Sequence, residues 1–294
     1  MNFKDMLNQY ISKEQISSWT SLRKSGYILL PLIVYFLVHD IAEILLWAGT
    51  DQLMLRGSLQ IKTILTENAY TVQGIVNGLM ILIGVVAIGK TVKVEVEGAE
   101  GKRFRQQSEE SGRAEIPEKK IMDYVMLAVL SFAAAFSLNI LFGMLGITES
   151  SEAYNRAADA QYGVDFFVGL ILYGIVSPIA EEAVFRGVMY NRMKRCFDHR
   201  LALILSALLF GCYHGNVVQA IYGSLLGALM AYVYEKYQSF AAPVLFHAVA
   251  NVSIYALTYH NSLTKISGMA GWILVAGFGI AVFVCLRYIN KRKM

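Results

Sequence analysis

The sequence predicts an all-α protein that crosses a membrane many times, a polytopic bundle of about eight transmembrane helices. Three observations carry that expectation. Of 294 residues, 56% are hydrophobic and 16% charged, with a mean hydropathy of +0.47, whereas a soluble domain carries about 25% charge. Long apolar runs recur along the chain, and a helix needs about 20 apolar residues to cross a hydrocarbon core. Lysine and arginine are concentrated in alternate connecting segments. The same composition argues against disorder, nucleic-acid binding and a disulfide scaffold. Cys196, Cys212 and Cys285 are odd in number and read as free thiols in apolar helices.

In chain order, residues 1–26 form a leader with amphipathic character around Phe3, Met6, Leu7, Tyr10 and Ile11, suited to an interfacial helix. The apolar run that follows is too long for a signal-peptide core, so no cleavable signal is expected. Eight spans are expected at 27–47, 72–89, 124–147, 166–190, 201–213, 217–234, 240–259 and 269–286. The fifth is short. The fourth contains Glu181, Glu182 and Arg186. An N-terminal membrane unit thus covers 27–147, a core 163–260, and a last span with a basic tail 269–294. Lys90 to Lys120 is the one long polar insert, with eight basic and seven acidic residues. Near-cancellation of its charge argues against a lipid-binding patch, and it reads as a solvated linker. No transporter-like inverted repeat is visible.

With the N-terminus in the cytoplasm, the cytoplasmic segments hold 22 of the basic residues and the outer loops four: Arg56, Lys62, Arg156 and Lys265. This asymmetry supports the eight spans and places both termini in the cytoplasm of a cell-membrane protein.

Ionisable groups inside spans are costly and mark protein interiors or wet cavities. One cluster is His39, Asp40 and Glu43, expected to pair among themselves, with lining the same cavity as supporting groups as the alternative. A second is spread over three later spans. Glu182 and Arg186 are four apart, acid first, the favourable pairing on a helix. Glu182 is thereby committed to Arg186 and Glu181 stays free, a candidate base. The arginines and lysine from Arg192 to Arg200 mark a turn near residue 198; Glu181 lies 17 residues before it and His214 16 after it. Antiparallel helices joined there bring the two to one depth. His247 and Asn251, four apart, share a face, roughly 14–20 Å in from the turn near Gln238. Because these depths are counted from cytoplasmic turns, the site is expected to open to the cytoplasm.

A carboxylate and an imidazole can hold a water and take its proton. A His–Asn pair can stabilise the oxyanion formed when that water attacks an amide. Nucleophilic readings are weaker: Cys212 is two residues from His214, and Ser253 has no motif around it. Two histidines and a glutamate could hold zinc, but the H-E-x-x-H signature is absent. No cofactor is the preferred expectation and zinc the alternative.

E-E-x-x-x-R at Glu181 to Arg186, F-x-x-x-H at Phe210 to His214 and H-x-x-x-N at His247 to Asn251 resemble the three motifs of the CPBP family, also called the ABI or CAAX-protease family. The stretch from Gly223 through Pro243 to Asn251 fits the same pattern. The resemblance covers 166–255 and implies an intramembrane glutamic endopeptidase. It implies that Glu181 and His214 activate the water, His247 and Asn251 form the oxyanion hole, and Glu182 and Arg186 support them. It implies a peptide or protein substrate, lipid-modified or not, with roles ranging from prenyl-type processing to signal-peptide maturation and bacteriocin immunity. Two other classes compete: a non-catalytic immunity or peptide-binding membrane protein, and a proton-coupled transporter. The intact motif set counts against the first, and the missing repeat against the second.

Overall fold

The computed structural model describes residues 2–111, 121–260 and 266–291. Its elements are helices, with no strand among the described residues. Two short leader helices, α1 (Phe3–Asn8) and α2 (Lys13–Ser17), precede α3 (Ser21–Arg56), α4 (Leu59–Glu67) and α5 (Ala69–Ser111). Then come α6 (Ile121–Met144), α7 (Glu152–Tyr162), α8 (Phe166–Cys196) and α9 (His199–Tyr213). The chain ends with α10 (Val217–Tyr237), α11 (Ala241–Tyr259) and α12 (Gly268–Lys291). α3 packs on α5, α9 on α10, α12 on α6, and α11 lies between α6 and α8.

Seven of these helices are long and apolar enough to cross a membrane: α3, α5, α6, α8, α10, α11 and α12. This is a multi-pass membrane protein. The predicted span at 201–213 is corrected. α9 has 15 residues, about 22 Å of helix, against a hydrocarbon core of about 30 Å. It stops because His214 caps it and Gly215 takes a φ of 74°, a left-handed turn that glycine adopts without strain. The Asn216 side chain then accepts from the Gln219 amide and starts α10. The hairpin runs back on itself, so both of its ends lie at one end of the bundle, where Lys194 meets Glu235 at 2.5 Å.

The predicted linker is also corrected. α5 continues as helix through Lys90 as far as Ser111; residues 112–120 lie outside the described residues, as do Lys265 and the tail beyond Lys291. Helix persists because one charged side chain finds buried partners. Glu95 is fully buried and binds Arg192 at 2.7 Å, Arg195 at 2.5 Å and the Tyr27 hydroxyl at 3.2 Å. The leader docks onto this knot instead of lying free. Arg192 donates to the Leu7 carbonyl at 3.0 Å, and Ile11 and Ile16 pack around Tyr27. One end of the bundle therefore gathers the leader, this knot, the Lys194–Glu235 pair and the Lys236–Asn290 hydrogen bond of 2.7 Å. We call it the basic end. The opposite end carries α4 and α7.

Candidate active site

α8 positions the two glutamates, and its backbone is irregular on both sides of them. It widens to π-helical geometry at Leu172–Val176 and again at Ala183–Tyr190, a deviation that recurs at functional sites. The first widening has a local cause. The Ser177 amide donates to the Leu172 carbonyl, and the next residue, Pro178, has no N–H to offer. The Tyr173 carbonyl is released from the backbone ladder and accepts instead from Asn251 Nδ2 of α11 at 2.9 Å.

Glu182 and Arg186 pair as their spacing predicts, at 2.8 Å and with both side chains fully buried. Arg186 also donates to the Gly227 carbonyl at 2.9 Å. The spacing did not reveal that Glu182 has a second partner, His247 Nδ1 at 2.9 Å, which lies 65 residues away in the chain. Glu182 thus joins α8 to α11. Phe210 of the second motif sits at the centre of this group. The Arg186 guanidinium lies over its ring at 4.4 Å, and the rings of His214 and His247 stand nearly perpendicular to it, with centroids 5.1 and 5.5 Å away.

Glu181 is the remaining carboxylate. Ser177 donates to its Oε1 at 2.5 Å, while its buried Oε2 has no hydrogen-bond partner. That oxygen faces Nε2 of His247 at 3.8 Å and Nε2 of His214 at 3.9 Å. Each imidazole is held through its other nitrogen: His214 Nδ1 lies 3.0 Å from the Phe210 carbonyl, and His247 Nδ1 lies on Glu182. The structure therefore brings Glu181, His214, His247, Glu182 and Arg186 into one cluster, with Asn251 one helical turn beyond His247. Ser177 and the Tyr173 carbonyl are additions that the sequence reading missed; Pro178 inside an apolar span was the signal for the second.

His39, Asp40 and Glu43 lie apart from this cluster, with the His39 ring against Tyr35 and Phe36. His39 meets Asp40 at 2.9 Å, the three offer ligand atoms within 4.8 Å of one another, and none lines the cavity described next. The three cysteines are free thiols.

A cavity of about 280 Å³ has Glu181, His214, His247 and Asn251 at its floor and Thr148, Tyr154, Gln161 and Tyr162 at its far end. It extends away from the basic end, toward α7. This departs from the expectation of access from the cytoplasmic turns. The depth count was sound, but the short α9–α10 hairpin and α8 pack solid below the site. Arg186, Met189, Tyr190, Met230 and Tyr234 are all fully or almost fully buried there. The space lies above the hairpin tip, where α9 and α10 have ended and α8 and α11 continue. Burial pushes the Tyr162 phenol up to about 12, so this roof residue stays neutral at physiological pH.

The helical membrane bundle thus holds a carboxylate between two imidazoles, on the three motifs named in the sequence. Residues 163–253 match the family model described as type II CAAX prenyl endopeptidase Rce1-like, as the motif resemblance predicts. Among curated proteins, the chain is 23% identical over 123 residues to "Putative membrane peptidase YdiL" of Bacillus subtilis, covering 42% of this chain and 50% of that protein. It is 26% identical over 129 residues to "UPF0177 protein YaiH" of Lactococcus lactis, covering 43% and 51%. The chain thus spans about half the length of the curated relatives it matches. No solved structure matches.

Proposed function

We propose that this protein is a membrane endopeptidase that hydrolyses a peptide bond with a water activated by Glu181 and His214. The observation that carries this reading is Glu181 Oε2, buried, without a partner, and facing two imidazole Nε2 atoms at 3.8 and 3.9 Å. A water there can give one hydrogen bond to the carboxylate and one to His214, whose Nδ1–H is spent on the Phe210 carbonyl. As the water attacks the substrate carbonyl, Glu181 takes its proton and later returns it to the leaving nitrogen.

Geometry suggests a second role. His247 holds Glu182 through Nδ1 and turns Nε2 toward the reacting centre. A hydrogen on that Nε2 would meet the oxyanion that forms on the carbonyl oxygen. Asn251 spends one amide hydrogen on Tyr173 and has a second to offer the same oxygen.

Zinc is the second reading, because one carboxylate and two imidazoles are donor types that suit it. Glu181 Oε2 lies 3.8 and 3.9 Å from the two Nε2 atoms, and each ring's Nδ1 is held by a carbonyl or carboxylate, the usual outer partners of metal-bound histidines. A zinc ion held by these three residues would supply a bound water of lowered pKa.

The test is cleavage of a peptide library by the purified protein, wild type beside Glu181→Gln, with and without exhaustive chelation. Cleavage that needs Glu181 and survives chelation, with zinc below stoichiometry by elemental analysis, is expected. Activity lost to the chelator and restored by zinc decides for the metal, and no cleavage by the folded wild type decides for a peptide-binding protein.

A further inference from the structure

We propose that the substrate is a peptide without a prenyl chain, presented on the extracytoplasmic side and reaching the site past α7. This rests on the endopeptidase reading above and adds where the substrate comes from and what it is made of.

The route follows from helix lengths. Glu181 lies 15 residues past the start of α8 at Phe166, about 22 Å along the helix. The tip of the α9–α10 hairpin, at His214, stops at that level, since His214 lies 3.9 Å from Glu181. Beyond the tip, α8 and α11 continue without α9 and α10 between them, and the result is a well. α7 lies across its mouth, touching α5, α8, α10 and α11. On the other side of the site the same helices are tightly packed, and Arg186 and Tyr190 are wholly buried.

Sidedness follows from charge. Lys24, Lys90, Arg200, Lys236, Arg287 and Lys291 belong to the sealed end, along with the Glu95 knot. The α7 end carries Arg56, Lys62 and Arg156. Basic residues accumulate on the cytoplasmic face. The sealed end is therefore cytoplasmic, and the well faces out.

The substrate class follows from the walls. The sides and roof of the well present the amides of Asn139 and Gln161 and the Tyr154 phenol, while Gln219, Tyr222 and Tyr162 are held by Asn216, the Ala135 carbonyl and Thr258. The first three groups can hydrogen-bond to peptide units. An isoprenoid chain would cover Asn139, Gln161 and Tyr154 and leave them unpaired, which is costly. A volume of about 280 Å³ is at the small end for ligand pockets and suits a short stretch of peptide.

Two measurements on the full-length protein test this. In a background of Cys196→Ser, Cys212→Ser and Cys285→Ala, single cysteines are placed at Gln161 in the roof and at Arg200 at the sealed end. A charged, membrane-impermeant maleimide is applied to right-side-out and to inverted vesicles. Gln161→Cys is expected to label at least tenfold more from outside, and Arg200→Cys at least tenfold more from inside. The reverse pattern overturns the proposal. In the second measurement, unmodified and prenylated peptides are supplied to wild-type vesicles of each orientation. Cleavage of unmodified peptides from outside supports the proposal. Cleavage confined to inverted vesicles, or to prenylated peptides, overturns it while leaving the endopeptidase reading intact. Cleavage from neither side, with labelling as expected, sinks the endopeptidase reading and the substrate with it, but not the outward orientation of the well.

Discussion

Adjacent glutamates that differ so much in surroundings must respond differently to the same change. Glu182 holds Arg186 and His247 in a fully buried network, so Glu182→Gln leaves a guanidinium short of its counter-charge. Breaking such a pair costs about 3–5 kcal/mol, and Glu182→Gln is expected to lower the melting temperature and the yield of folded protein. Glu181 accepts one hydrogen bond, from Ser177, and meets His214 and His247 only at 3.9 and 3.8 Å, so Glu181→Gln is expected to melt close to wild type. Equal melting temperatures in the two variants would sink this division of labour. The Glu182–Arg186 half of it is legible in the sequence, because four residues on a helix is a contact. The His247–Glu182 half is not, because no local rule joins residues on different helices. Asn251 makes the same point. Its spacing from His247 puts both on one face, but its bond to the Tyr173 carbonyl depends on Pro178 and the π-helical turn that precedes it.

Among the helices, the α9–α10 hairpin sets the depth of the site, and glycine sets how tightly the hairpin closes. A side chain at Gly211 would run into the Ala220 carbonyl and Ser224, whereas one at Gly89 on α5 would meet nothing within 4 Å. Gly211→Val is therefore expected to destabilise by about 1–3 kcal/mol or more, and Gly89→Ala to be neutral or stabilising by up to about 1 kcal/mol. Thermal unfolding in detergent measures both, and a Gly211→Val protein as stable as wild type would mean the hairpin packs elsewhere. Glu95 offers a second check on a different element. Glu95→Gln weakens a buried knot that ties α3, α5 and α8, so it is expected to lower the melting temperature of the bundle although it lies far from Glu181. This knot was not legible in the sequence. Seven acidic and eight basic residues between Lys90 and Lys120 look like a solvated segment until tertiary contacts select Glu95 from among them. The short α9 was legible as a short apolar run, but its consequence, a well above the tip, needed the relative lengths of its neighbours.

For the molecule as a whole, hydropathy and charge made the long spans and a basic end readable from the sequence. The direction in which the site opens was not readable, because distance from a turn gives depth and says nothing about which side is packed. The fold thus carries a buried carboxylate and two imidazoles above a solid plug of helix and below a well of mixed polar and apolar lining. The central claim is that Glu181 is the base that activates water in that well. Its most direct test is the turnover of one cleaved peptide by reconstituted Glu181→Gln protein, beside wild type and with folding checked by its melting temperature. Loss of a general base costs roughly 10²–10⁴-fold in rate, so the account predicts a fall in that range with the melting temperature unchanged. Turnover within a few-fold of wild type by the folded variant would contradict it.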